Sequence, residues 1–182
     1  MKAVLASIRP RWCGEILSGR KTIEVRRTRP KLPPPFKTYI YCTGGDTLYR
    51  SSYDNSIILT KHSPEALAHH TILNRMVIAE FICDWCDPFP PARGPFAELS
   101  LGSLVPPRDL YEYAAGKTIF GWHISELKAY EKPLPITDFK RWNRTEENAP
   151  CAHVKWLYEP CETCRECNLK YPPQSWCYVE EV

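Results

Sequence analysis

No stretch of this chain approaches 18 consecutive apolar residues, and the run from Met1 to Arg9 is too short for the apolar region of a secretory signal. Both absences point to a cytoplasmic protein that makes no use of a membrane. Also missing are a Gly-x-Ser-x-Gly elbow, a His-Glu-x-x-His helix and a Gly-rich phosphate loop, so nucleophilic catalysis is poorly supported. No internal repeat is apparent. A strong excess of one charge is lacking too: 24 Lys and Arg against 21 Asp and Glu leave +3. That balance permits a nucleic acid partner without demanding one, because phosphate binding depends on where cations cluster more than on their total.

What is present fits one domain, residues 1–182, long enough to bury a core. Hydrophobic content of 43% and charged content of 25% exclude wholesale disorder. Nine cysteines, an odd number in a reducing compartment, argue against a disulfide scaffold and leave metal ligation or core packing.

The cations do cluster. Arg20, Lys21, Arg26, Arg27, Arg29 and Lys31 lie close together, and the first three belong to the stretch Gly19-Arg20-Lys21-Thr22-Ile23-Glu24-Val25-Arg26. Pro10 at a helix start, apolar Trp12, Cys13, Ile16 and Leu17 at helical spacing, and Ser18-Gly19 at the end predict a helix of about two turns that runs into a strand over Lys21–Arg27. Alternation then puts Ile23 and Val25 on one face and Thr22, Glu24 and Arg26 on the other. That charged face reads either as a solvated strand surface or as a grip for a polar or anionic ligand.

Further strands are expected at Lys2–Ile8, Thr38–Cys42, Arg75–Cys83, Thr118–Tyr130 and Ser175–Val179, with a short helix over Pro107–Ala115. Ser63-Pro64 reads as the start of a helix through Leu73, and Pro88–Pro95 as a Pro-rich linker. Glu80 interrupts the most apolar strand, so it either reaches solvent at an edge or is buried opposite a cation such as Lys21 or Arg26. His62, His69 and His70 read as surface residues. Together these elements predict a mainly β protein with short helices (α+β), built on a closed or nearly closed β-barrel.

Cys161-x-x-Cys164-x-x-Cys167, with Cys151 ten residues earlier, has spacing that lets thiolates converge on one ion; structural zinc and unmetallated thiols both remain open. An iron–sulfur cluster is disfavoured, since Asn168-Leu169 stand where a Cys-Pro would be needed. Cys83-Asp84-Trp85-Cys86 is a second pair, readable as ligands or as a redox pair without a following helix. Trp12, Trp122 and Trp176 could line a stacking pocket or fill the core.

Ser7-Ile8-Arg9-Pro10, the helix that follows, and Gly19-x-Lys21-x-x-Glu24-x-Arg26 resemble the opening of ASCH domains, whose signature G-x-K-x-x-E-x-R is matched at all four positions. Val77-Ile78-Ala79-Glu80-Phe81, Trp122-His123-Ile124-Ser125 and Pro172-Pro173-Gln174-Ser175-Trp176 look like strands of bacterial and phage members. Positions 44–74 and 145–170 look like insertions, helical and cysteine-rich respectively. The resemblance implies a PUA-like β-barrel that binds RNA or a modified nucleotide in a cleft beside the signature, with Lys21, Glu24, Arg26, Arg9, Trp12, Ser175 and Trp176 as ligand-binding residues.

Some relatives are amidohydrolases on N4-acetylcytidine that use a lysine, a threonine and a glutamate, and others are linked to ribonuclease activity. Lys21 matches the lysine, but Glu24 stands where the threonine falls, so that mechanism does not carry over. Three functions are therefore expected in order. The first is a binding module. The second is a hydrolase on RNA or a modified nucleoside, with Lys21 as base and Glu24 or Glu80 as partner. The third is an interaction module stabilised by zinc on Cys151, Cys161, Cys164 and Cys167.

Overall fold

The computed structural model describes residues 1–62, 67, 69–91, 96–142 and 168–182. Strand β1 (Lys2–Ile8) leads into helix α1 (Pro10–Leu17) and then strands β2 (Ile23–Arg26) and β3 (Phe36–Cys42). Three short strands follow, β4 (Thr47–Arg50), β5 (Ile57–Thr60) and β6 (Thr71–Ile72). After them come β7 (Val77–Phe89), α2 (Ala97–Ser103), α3 (Pro107–Ala114), β8 (Ile119–Leu134) and β9 (Trp176–Glu180). The fold is mainly β with three short helices among the described residues, as expected.

The principal sheet runs β2-β8-β7-β3-β1-β9, with β1 and β3 parallel and every other pair antiparallel. This order has two ends, and among the described residues no ladder joins β2 to β9, so the barrel is not closed by strand pairing. The expected closure into a barrel is therefore not formed, and side chains link the two edge regions. Arg26 Nη1 donates to Ser175 O at 3.2 Å, Trp176 Nε1 donates to Thr28 Oγ1 at 3.0 Å, and the Tyr178 hydroxyl accepts from Lys31 N at 2.6 Å.

Strand β1 is buried on both faces, which explains why its sequence reads as a nearly continuous apolar run. On one side Val4, Ala6 and Ile8 pack with Ile40, Ile78, Phe81, Trp122 and the α1 residues Cys13 and Ile16. On the other, Ala3 and Leu5 pack with Tyr39, Phe139 and Val179. A third cluster, Phe89, Phe96, Leu99, Leu110 and Ile119, seats α2 and α3 beside β2.

The helix expected through Leu73 does not extend over Thr71–Ile72, which is strand, and β4, β5 and β6 form a small sheet in the order β5-β4-β6. Leu48 ties it to the core: a Cβ on Gly14 of α1 would come within 3.3 Å of its Cδ1, so glycine permits the approach. The expected Pro-rich linker is in part strand, since β7 continues through Pro88 to Phe89. Cys151, Cys161, Cys164, Cys167 and nearly all of the proposed 145–170 insertion lie outside the described residues, as does the Ser63-Pro64 cap.

Candidate functional site at the charged strand

Helix α1 ends where the sequence says it should. Gly19 takes φ +74, a left-handed conformation that a side chain would strain, and its N–H bonds Ile16 O at 2.8 Å. The chain then turns directly into β2, with Lys21 N donating to Glu15 O and Thr22 N to Gly102 O.

Contrary to the usual polarity of a half-buried strand, the charged face of β2 is the more enclosed one. Glu24 and Arg26 are 7% and 6% exposed and Lys21 is 2%, whereas Ile23 and Val25 are partly buried under α2 and α3. Burial on this scale requires compensation, and each group has it. The Lys21 ammonium donates to Ile23 O at 2.8 Å and to Ser103 O at 2.9 Å, and sits 3.4 Å from Glu24 Oε2. Ser103 is the last residue of α2, so its carbonyl is one of those a helix terminus leaves open, at the negative end of the dipole. Three partners match the three protons of an ammonium.

Arg26 Nη2 lies 3.1 Å from Glu24 Oε1 and donates to Ser7 O at 2.9 Å, while Nη1 reaches Ser175 O and Oγ at 3.2 and 3.3 Å. Its Nε is buried without a hydrogen-bond partner among the described residues. Glu24 thus bridges the two cations, one oxygen to each. Burial holds the Lys21 amine below the ordinary lysine range, and the Glu24 carboxylate offsets this only in part.

This network forms the floor of a cleft of about 440 Å³. Arg9 and Trp12 reach it from the start of α1, and Asp109 and Tyr113, one turn apart on α3, from the other side. The Trp12 ring lies 5.1 Å from Lys21 Nζ, and Arg27 stacks 4.7 Å from the Tyr113 ring while donating from Nε to Tyr113 O. Of the residues named from sequence, Lys21, Glu24, Arg26, Arg9 and Trp12 are brought together here. Ser175 holds Arg26 from behind.

Trp176 lies apart, its ring 6.0 Å from Trp122 and 5.3 Å from Tyr178, and fastens the seam. Trp122 is fully buried and belongs to the core, not to a stacking surface. Glu80 is paired, but neither with Lys21 nor with Arg26. It accepts from the Tyr130 hydroxyl at 2.6 Å and lies 3.8 and 3.9 Å from Lys37 and Lys128, away from the residues that line the cleft. Asp109, Tyr113 and Gln174 were not singled out from sequence. The i, i+4 spacing of Asp109 and Tyr113 was the available signal, but it needed α3 to be placed against β2.

Comparison with solved structures identifies the fold class. The chain is similar to the crystal structure of a tyrosine-to-phenylalanine mutant of ASCH from Zymomonas mobilis, with a TM-score of 0.50 at 14% identity over 75% of this chain and 77% of that one. The ASCH structure without that change and a serine-to-alanine mutant from the same organism give 0.47 and 0.49 at 14% and 15% identity, covering 74% and 73% of this chain and 73% of each of those. The fold is therefore ASCH-like, an α+β arrangement. No protein-family model matches the sequence, and no curated protein matches it significantly. Among the described residues, no helix is long and apolar enough to cross a membrane.

Proposed function

We propose that the cleft over β2 binds single-stranded RNA or a nucleotide, including modified forms. The observation that carries this reading is a cleft of nucleotide size whose enclosed floor holds two cations against one carboxylate, flanked by two aromatic rings. The floor's net positive charge favours phosphate, Trp12 and Tyr113 offer faces for a base, and Asp109 offers an acceptor for an exocyclic amino group. Arg9 supplies an exposed cation at the rim, where it can reach a backbone phosphate.

Because Lys21 and Arg26 also hold the strand, the test uses Arg9 and Trp12. Titration of a labelled short single-stranded RNA at two salt concentrations should show Trp12→Ala binding roughly tenfold more weakly, within the range of one stacked base. Arg9→Ala should flatten the salt slope by about 0.7, the contribution of one phosphate on a single strand. Wild-type affinity and slope in both variants would remove the cleft as the binding site.

A second reading, hydrolysis, rests on one observation: burial at the floor of the cleft holds Lys21 below the ordinary lysine range, the direction a general base requires. Incubation with N4-acetylcytidine and with mixed RNA decides it, since absence of any product at high protein concentration leaves binding alone.

A further inference from the structure

In a regular strand, residues three apart point to opposite faces. Cys83 and Cys86 do not. Cys83 pairs with Ile124 and Cys86 with Trp122, so three steps along β7 answer two along β8, and the extra residue turns both thiols into the same core cluster. Their sulfurs are 3.5 Å apart, and Cys83 Sγ lies 3.3 Å from Trp85 O. A disulfide needs about 2.05 Å between sulfurs, which a small rotation of one or both side chains supplies without moving the strand far.

The two thiols are not equivalent. Cys83 is fully buried, whereas Cys86 is 7% exposed and lines a groove of about 420 Å³ together with Arg29, Lys31 and Pro30, Pro33 and Pro34. The hydrogen bond from Cys83, aided by the Arg29 guanidinium, holds the Cys86 thiol below the ordinary range despite its burial, and the same contact together with burial pushes Cys83 up. Cys86 is thus the thiol prepared to attack, with Cys83 beside it as the partner sulfur.

We propose that Cys83 and Cys86 are a redox-active dithiol that exchanges with small acidic disulfides entering the groove beside Arg29 and Lys31. The Cys86 thiolate attacks one sulfur of the disulfide RSSR, forming a Cys86–SR bond and releasing RS⁻. The Cys83 sulfur then attacks Cys86 Sγ as its proton passes to the departing sulfur, so that the Cys83–Cys86 bond forms, the Cys86–SR bond breaks and the second RSH leaves. Two protein thiols are oxidised to one disulfide, and one RSSR is reduced to two RSH after proton uptake. Cys13 and Cys42 are both fully buried and line neither the cleft nor this groove.

The test treats the native full chain with excess glutathione disulfide, quenches by alkylation at successive times and reads each cysteine by peptide mass. The peptide carrying Cys83 and Cys86 should lose two hydrogens roughly tenfold faster than half-buried Cys177 acquires a glutathione adduct, as expected when thiolate character sets the rate. Cationic cystamine should react more slowly than anionic glutathione disulfide, and Arg29→Ala should narrow that difference. Cys83→Ser should stop at a mixed disulfide on Cys86. Recovery of Cys83 and Cys86 as alkylated thiols while Cys177 is modified would overturn the proposal, as would cystamine outpacing glutathione disulfide. The wild-type kinetics decide the matter even if Cys83→Ser does not fold.

Discussion

Two carboxylates, Glu24 on β2 and Glu80 on β7, each face two cations, yet the two clusters are built differently. Around Glu24 every member is nearly enclosed, the ion pairs measure 3.1 and 3.4 Å, and the carbonyls of Ser7, Ile23, Ser103 and Ser175 accept from the two cations, leaving only Arg26 Nε unpartnered among the described residues. Around Glu80 the lysines stand at 3.8 and 3.9 Å, Lys37 prefers Glu181 at 2.8 Å, and the Lys128 side chain is 71% exposed. The same residue types therefore do different work. An enclosed network fixes geometry because removing any member strands the others, whereas a solvated cluster can lose a member to water.

The comparison can be broken first at the carboxylates. Glu24→Ala leaves two buried cations uncompensated and should cost about 3–5 kcal/mol in urea denaturation. Glu80→Ala should cost about 1–2 kcal/mol, mostly through the lost Tyr130 bond. Equal losses would show that the enclosure of Glu24 confers nothing special.

Lys21→Met comes next. It strands the Ser103 and Ile23 carbonyls and should cost about 2–3 kcal/mol near neutral pH. Its pH dependence sharpens the point. Because burial depresses the native pKa of Lys21, the unfolded chain binds more protons between that lowered value and 10.5. Stability then rises with pH across this window, so the advantage of wild type over Lys21→Met should grow as pH climbs towards 10.5. A flat difference would mean the amine is not desolvated. The smallest effect belongs to Lys128→Ala, which should stay within about 0.5 kcal/mol.

Much of this was legible in the residues. Pro10 and Gly19 bracket α1, and strict alternation puts Glu24 and Arg26 on one face of β2. Alternation says which residues share a face, not what covers it. The carbonyls of Ser7, Ser103 and Ser175 that enclose this face come from distant parts of the chain and carry no side-chain signature. Helix α2 was missed because it has seven residues and no side-chain cap. The far half of β7 was hidden because Asp84 and Pro88 are poor strand formers, and the bulge between Cys83 and Cys86 breaks its period.

The seam between β2 and β9 gives Arg26 a second role. Strands joined by a ladder resist separation at every residue, but here, among the described residues, hydrogen bonds made by Arg26, Trp176 and Tyr178 stand in place of a ladder. The Arg26 guanidinium lines the cleft and at the same time holds Ser7 and Ser175, so the floor of the cleft and the seam share one side chain. Only a forked, planar cation can serve both ends at once, so a lysine at position 26 would keep the charge while surrendering one of its two attachments.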